Sequence, residues 1–313
     1  MNSQARWTGW TGFWACKRGK AMFGIDMNLI LGQMVLGLVN GVFYAILSLG
    51  LAVIFGLLGV INFAHGVFFM MGAYFAYMFT TYMGLGYWEA MILVPLLVGA
   101  VGLVVEVVLI RHIYKLDHLY SLLLTLGLAV FIEGGVQIIF GPRGLPYPIP
   151  ESLRGALNLG FMFLPVYRAW VVGAGIVLCL ITWYLIERTS LGAKLRAATD
   201  NPRLVQAFGI NVPIMLTLTY AAGVALAGVG GVMAAPIMSV DPAMGTHITI
   251  VVFAVVVIGG MGSIMGAILT GLGLGLLEGL AKAVYPEVSS TVIFVAMVVI
   301  LILRPRGLLG KVA

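Results

Sequence analysis

Two long apolar runs constrain the fold of this chain more than any other feature of its sequence. The first occupies residues 29–58 and the second occupies residues 248–281. As single helices they would be roughly 45 Å and 50 Å long, whereas the hydrocarbon core of a bilayer is about 30 Å thick. Other apolar runs of membrane-spanning length lie between them. The chain is therefore expected to be a polytopic membrane protein.

Each long run contains small or polar residues at which a helix can break. The second run is interrupted by the sequence Gly-Gly-Met-Gly-Ser at residues 259–263. We expect the first run either to tilt strongly in the membrane or to break. Its candidate break points are Asn40, Gly41, Ser48, Gly50 and Gly56.

Composition excludes a soluble domain. Only 9% of the residues are charged, whereas a soluble domain has roughly 25%. The net charge of +6 does not indicate nucleic-acid binding, because the basic residues cluster between apolar runs. The two cysteines, Cys16 and Cys179, provide no metal-ligand spacing, and we expect no metal site.

Three basic clusters, at residues 111–115, 188–203 and 304–311, mark the cytoplasmic side. All three lie on one side only if the second long run crosses the membrane twice. If the first run crosses once, there are about nine crossings and the N-terminal end lies outside; two crossings give about ten, with that end inside. We expect an all-α bundle with about 8–10 crossings, some broken or re-entrant, and a cytoplasmic C-terminus.

Residues 1–27 form a basic, aromatic tail before the first long run. The tail lacks the apolar region of a signal peptide. It either lies on the membrane surface or reflects a mis-set start, with translation beginning at Met22 or Met27. The membrane domain is expected over residues 28–311.

Polar side chains inside apolar runs are candidates for a solute pathway, because a polar group in hydrocarbon needs a partner or water. Asn62 and His65 either line such a pathway or sit in a turn at the membrane edge. Glu133 either acts in a relay or contacts solute, lies nearer the interface, or is protonated and paired. The candidate pathway residues are Asn40, Ser48, Asn62, His65 and Glu133.

Glycines recur at four-residue steps in the second long run. This spacing favours close approach of membrane helices, within the chain or against a second subunit. Two overlong, glycine-interrupted runs in corresponding positions also suggest internal repeats around a pathway. The predicted packing positions are Gly262, Gly266, Gly271 and Gly275.

Residues 187–213 form a basic segment between two apolar runs. Asp200 or Asn201 can cap a helix that begins at Pro202 and stops at Gly209. This punctuation predicts a short helix from about residue 202 to residue 208. The basic segment is either a cytoplasmic loop shaped to fit another protein or a solvated connector.

Several sequence blocks together resemble one family of membrane proteins. The most specific block is Ile-Asn-Phe-Ala-His-Gly at residues 61–66. Others are Gly-Val-Phe-Tyr-Ala at 41–45, Gly-Ala-Lys-Leu-Arg-Ala at 192–197, and the Gly-Gly-Met-Gly-Ser block at 259–263. Over about residues 28–310 the chain resembles permease subunits of branched-chain amino-acid ABC importers, of the LivH type.

The resemblance implies a division of labour in the bacterial inner membrane. A periplasmic binding protein would deliver the solute, and this chain with a LivM-like permease would form the path through the lipid. Two ABC ATPase subunits would bind ATP and Mg, and this chain would hold no cofactor. The basic segment would dock on an ATPase, a role that falls on Gly192, Arg196, Ala197, Asn201, Ala207 and Gly209.

Other functions stay open from the residues alone. An autonomous ion-coupled secondary transporter requires ionisable groups inside the membrane, and Glu133 is the one candidate. A structural or assembly subunit would need no pathway of its own. No Walker A, HExxH or nucleophile-elbow motif occurs in the sequence, so we expect a non-catalytic chain. The resemblance favours an importer permease for branched-chain amino acids or related small solutes.

Overall fold

The computed structural model describes residues 26–114 and 116–310. Residues 1–25 of the proposed N-terminal tail, including Cys16, fall outside these residues, as do Lys115 and Lys311. The described chain forms α-helices α1 (Met27–Leu58), α2 (His65–Met83), α3 (Tyr87–Val108), α4 (His118–Phe140), α5 (Val166–Glu187), α6 (Ser190–Asp200), α7 (Pro202–Ala207), α8 (Val212–Ala234), α9 (Met244–Gly259), α10 (Ile264–Val284) and α11 (Thr291–Leu303).

A helical membrane bundle is confirmed. Six of the described helices are long and apolar enough to cross a membrane, and α9 and α11 are shorter apolar helices. Strands β1 (Ala156–Asn158) and β2 (Phe163–Pro165) pair antiparallel in the long loop after α4. Isolated 3₁₀ turns occur at Ile110–Ile113, Glu151–Leu153 and Pro286–Val288.

Helix α1 is the central element of the bundle and contacts α5, α8, α9 and α10. It is one continuous helix of 32 residues, about 48 Å long at the usual rise. It begins where the Asp26 carboxylate accepts a hydrogen bond from the Asn28 N–H, and ends at Gly59, where φ is 67°. None of the candidate break points interrupts it. Two crossings within the first apolar run are therefore excluded, and the run crosses once.

Glycines allow α1 and α10 to cross at backbone contact. A Cβ atom on Gly275 would lie 2.2 Å from the Cα atom of Gly41, and one on Gly271 would lie 2.6 Å from the Ala45 nitrogen. A Cβ atom on Gly266 would instead meet the Gly259 carbonyl oxygen of α9. The four-residue glycine steps therefore serve contacts within this chain.

The second apolar run breaks where the sequence predicts. Gly260 and Gly262 adopt φ angles of 100° and 84°, which form the turn between α9 and α10. Gly262 therefore lies outside any helix, contrary to its expected place among helix-packing glycines, and instead approaches Gly56 of α1. The chain after α11 folds back here, since the Leu308 N–H donates to the Ile258 carbonyl over 2.8 Å.

The basic clusters meet at one end of the bundle, which the positive-inside rule makes cytoplasmic. Thr199 of α6 donates to the Leu57 carbonyl at the end of α1, and Arg111 donates to Thr217 near the start of α8. At the other end, the Leu145 N–H donates to the Val240 carbonyl over 2.8 Å, which joins the loops after α4 and α8. The N-terminal end of α1 therefore lies on the outer side.

Helix α2 begins inside the bundle. Its first residue, His65, lies against α1, where a Cβ atom on Gly50 would be 3.0 Å from the imidazole ring. Gly50 precedes the end of α1 by about two turns. The segment at residues 59–64 therefore re-enters the bundle after α1, and the Ile-Asn-Phe-Ala-His-Gly block lies in the interior instead of at the membrane edge.

Candidate functional site

A pocket of about 420 Å³ opens in the outer half of the bundle, between α1, α2, α9 and the loop before α9. We call it the outer pocket. Its apolar walls include Phe43, Phe69, Ile248 and Val251. Its polar lining comes from Asn40, Tyr44, Ser239, Asp241 and His247. This mixture of apolar walls and a few polar groups is typical of small-molecule sites.

Of the described residues that line the outer pocket, Asp241 is the one carboxylate. One of its oxygens accepts a hydrogen bond from the Ala243 N–H over 2.7 Å, which helps to start α9. Its other oxygen has no donor among the described residues. Among the described residues, the side chains of Asn40, Ser239 and His247 also have no hydrogen-bond partner.

Tyr44 connects the outer pocket to a buried ion pair. Its hydroxyl donates to Glu278 over 2.7 Å, and the Lys282 ammonium donates to the same carboxylate over 2.5 Å. Glu278 is buried, with 6% of its surface exposed. The tyrosine oxygen can therefore only accept a further hydrogen bond, because its proton is already committed to Glu278.

The structure separates the predicted pathway residues. Asn40 lines the outer pocket, but Ser48, Asn62 and His65 are buried and do not. Ser48 donates to the Ala267 carbonyl over 3.2 Å, and the Asn62 amide donates to the Tyr220 hydroxyl over 3.1 Å. Ser48 therefore joins α1 to α10, and Asn62 joins the segment before α2 to α8.

His65 is buried, and neither ring nitrogen has a hydrogen-bond partner among the described residues. The adjacent Gly66 touches α9, since a Cβ atom there would be 2.2 Å from the Gly245 carbonyl oxygen. The imidazole is thus enclosed between α1, α2 and α9, next to the wall of the outer pocket that Ile248 forms.

Glu133 lies on α4 and is partly exposed. Its carboxylate accepts a hydrogen bond from the Thr246 hydroxyl of α9. Thr246 precedes His247 of the outer pocket, but Glu133 itself does not line that pocket. Its position beside α9 favours a paired carboxylate at the edge of the bundle.

Glu106 anchors a polar cluster at the cytoplasmic end. It is fully buried and accepts hydrogen bonds from Arg111 over 3.1 Å, Thr217 over 2.7 Å and Tyr114 over 2.8 Å. Burial and the adjacent carboxylate raise the pKa of the Tyr114 phenol well above its usual value, so it remains a donor. The cluster ties the ends of α3 and α8 together.

The basic segment is held firmly against the bundle on one side. Gly192 lies against the end of α5, where a Cβ atom would be 1.7 Å from the Ile186 carbonyl oxygen. Arg196 donates to the same carbonyl over 2.9 Å and lies 3.7 Å from the Glu187 carboxylate. Gly192 and Arg196 therefore fix α6 to α5, and the Arg196 side chain keeps 38% of its surface exposed.

The opposite side of the basic segment is exposed. The predicted short helix is confirmed as α7, which Asn201 caps by accepting a hydrogen bond from the Leu204 N–H. The preceding helix α6 was not predicted as a separate element, because its apolar residues do not form a long run. Phe208 is 77% exposed and Leu204 is 55% exposed. Exposed neighbours on this face are Lys194, Ala197, Arg203, Ala207 and Gly209.

Sequence reasoning missed most of the outer pocket. Asp241 and His247 come from the loop before α9 and from its first turn, and only folding brings them to Asn40 on α1. The Ser-Val-Asp-Pro turn at residues 239–242 was a detectable signal, because a carboxylate next to an apolar run is unusual. No spacing in the sequence connects it with α1.

Curated relatives match nearly the whole chain. The high-affinity branched-chain amino acid transport system permease protein BraD of Pseudomonas aeruginosa is 30% identical over 300 residues, covering 90% of this chain and 96% of the relative. LivH of Escherichia coli K12 is 28% identical over 298 residues, with the same coverage. LivM of the same strain is 26% identical over 292 residues, covering 85% of this chain and 67% of LivM.

No solved structure matches the chain. A family model described as branched-chain amino acid transport system / permease component matches residues 33–302. This match includes α2–α10 and nearly all of α1 and α11. The chain therefore belongs to the family of branched-chain amino acid transport system permease components.

Proposed function

We propose that this chain is the permease subunit of an ATP-driven importer that carries branched-chain amino acids across a bacterial inner membrane. The basic segment is the observation that carries the proposal. Its helices are fixed to the bundle through Gly192 and Arg196, while Leu204 and Phe208 are exposed on the cytoplasmic side. Exposed apolar side chains among basic residues are typical of a docking surface.

An ATP-driven importer needs further subunits beside this permease. Two ATPase subunits hydrolyse ATP with Mg, and one of them binds the exposed face of the basic segment. Ala197, Asn201, Ala207 and Gly209 lie on that face, where small side chains permit close approach. A second, LivM-like permease completes the path, and a periplasmic binding protein delivers the solute at the outer face. This chain binds no nucleotide.

An ion-coupled transporter is the weaker candidate. Such a carrier needs ionisable groups that exchange ions within the membrane. The buried carboxylates Glu106 and Glu278 are each paired with a basic side chain, and Glu133 is bonded to Thr246. These pairings suit static structural roles.

Uptake into membrane vesicles tests the proposal. We expect radiolabelled leucine to enter only when ATP is present on the cytoplasmic side and the binding protein is supplied outside. A proton or sodium gradient without ATP should drive no uptake. Uptake that continues on an ion gradient in the absence of ATP would overturn the importer assignment.

A matched pair of variants tests the docking face. Phe208→Asp places a charge on the proposed ATPase contact. Phe163→Asp makes the same change at a 70% exposed position of β2, in the long loop after α4. We expect Phe208→Asp to lower co-purification of ATPase subunits at least about tenfold, since a desolvated charge costs several kcal/mol. Phe163→Asp should retain them. Equal retention in both variants would count against docking at the basic segment.

A further inference from the structure

We propose that the outer pocket is a binding site for the transported solute, and that it selects a zwitterionic α-amino acid with an aliphatic side chain. The proposal rests on the proposed function, because it names where the permease itself recognises its cargo. Recognition would then occur twice, first on a binding protein and again on this chain.

The apolar walls suit an aliphatic side chain. Phe43, Phe69 and Ile248 are buried residues of three different helices, and their side chains face the same space of about 420 Å³. This volume accommodates one amino acid together with several waters, each of which occupies about 30 Å³ in the liquid. Burying an aliphatic side chain there favours binding, because its apolar surface leaves water.

Two oxygens on side chains that line the pocket are suited to an ammonium group. Asp241 has one oxygen that no described residue occupies, whereas its other oxygen accepts from the Ala243 N–H. The Tyr44 oxygen can only accept, because its proton is donated to Glu278. A primary ammonium offers three donors, so it can satisfy both acceptors and keep one donor for water.

Three donors in the pocket are suited to a carboxylate. The side chains of Asn40, Ser239 and His247 line the same space and are uncommitted within the described chain. A carboxylate has two oxygens that accept several hydrogen bonds. Because Asp241 is the one carboxylate among the described residues of this lining, a solute without an ammonium group would leave its charge unpaired. The lining therefore disfavours carboxylic acids that lack an amino group.

Equilibrium binding to the purified complete transporter in nanodiscs tests this site, with the binding protein and nucleotide omitted. Radiolabelled leucine is the probe, and the competitors are 4-methylpentanoate, which lacks the ammonium, and 3-methylbutylamine, which lacks the carboxylate. We expect saturable leucine binding at millimolar concentration. In the wild-type complex, 4-methylpentanoate should compete at least about tenfold less well, since a hydrogen-bonded charge is left without its partner.

Asp241→Asn should weaken leucine binding at least about tenfold. In this variant, the affinity for leucine should exceed the affinity for 4-methylpentanoate by much less than in the wild type. Asn40→Ala should instead reduce the ratio of the affinity for leucine to the affinity for 3-methylbutylamine. The matched control is Glu151→Gln, which neutralises an exposed carboxylate paired with Arg154 in the outer loop, and it should bind as the wild type does. Monodisperse elution with both ATPase subunits retained shows that each variant is folded.

Two results would overturn the site. One is the absence of saturable leucine binding to the wild-type complex, and the other is unchanged leucine affinity and competitor ranking in Asp241→Asn. ATP-driven uptake is measured on the same preparations. If either of these binding results is obtained but leucine is still imported, the outer pocket is not the solute site and the importer assignment stands. If no leucine is imported, the importer assignment for this solute fails as well.

Discussion

Glu106 shows how this protein keeps a carboxylate inside a membrane bundle. The side chain is fully buried on α3, and donors reach it from the turn after α3 and from α8. A buried charge is tolerated when it is paired and its remaining oxygen lone pairs are satisfied. Removing one partner leaves the charge uncompensated, which makes this cluster sensitive to single substitutions.

Arg111→Ala should lower the free energy of unfolding by about 3 kcal/mol, because it leaves the buried Glu106 carboxylate unpaired. Denaturant unfolding of the purified chain in detergent micelles measures the change. The control is Arg154→Ala, which breaks the exposed pair with Glu151 and should cost less than about 1 kcal/mol. Adding Glu106→Gln to Arg111→Ala should recover part of the loss. Equal losses in the two arginine variants would contradict the role of burial.

At the scale of elements, the crossing of α1 and α10 decides how the bundle is assembled. Glycine steps on both helices meet, so their backbones touch without intervening side chains. In lipid this contact is stabilised by van der Waals packing and not by removal of apolar surface from water. Of the glycines proposed as break points in α1, Gly41 contacts α10, Gly50 contacts Gly223 of α8 and Gly56 contacts the α9–α10 turn. They are positions of contact within a continuous helix.

Gly275→Ala tests that crossing. The added methyl group would lie 2.2 Å from the Cα atom of Gly41, so we expect the free energy of unfolding to fall by about 1–3 kcal/mol. Gly273→Ala is the matched control, two residues earlier on the same helix and facing open space. It should be neutral or stabilise by up to about 1 kcal/mol, because alanine favours the helix. A thermal or denaturant titration that ranks the two variants equally would refute close packing at this position.

At the scale of the whole molecule, sidedness follows from α1 crossing once. The basic segment, the α9–α10 turn and the segment after α11 lie at the cytoplasmic end, and the start of α1 lies at the outer end with the long loop after α4. The expectation of a permease is confirmed by membership of the family, and the sidedness places its exposed basic segment at the cytoplasmic end.

Labelling with a membrane-impermeant maleimide tests this arrangement in a Cys16→Ser background, where the described cysteine Cys179 is buried. Asn28→Cys, at the exposed start of α1, should react in intact cells. Gln206→Cys, on the exposed face of α7, should react only after the membrane is permeabilised. Protection of Asn28→Cys in intact cells would show that α1 runs in the opposite direction.

The sequence alone was sufficient for features that depend on local composition. Hydropathy and charge predicted the bundle and its cytoplasmic end, because each apolar run must enter lipid wherever it is placed. A helix cap at Asp200 or Asn201 and the break at residues 259–263 were also predicted, since caps and positive φ angles depend on a few adjacent residues. The structure places the cap at Asn201. The family blocks indicated the permease, which the family match confirms.

Only the tertiary structure decided the features that depend on contacts between distant segments. In the structure α1 is continuous and α2 begins inside the bundle. Gly192 and Arg196 contact the end of α5. The tertiary structure also brought Asp241 and His247 to Asn40, while burying Ser48, Asn62 and His65 among helices. Hydropathy does not predict which face of one helix packs against another helix. The packing depends on how closely the backbones approach and on hydrogen bonds between elements.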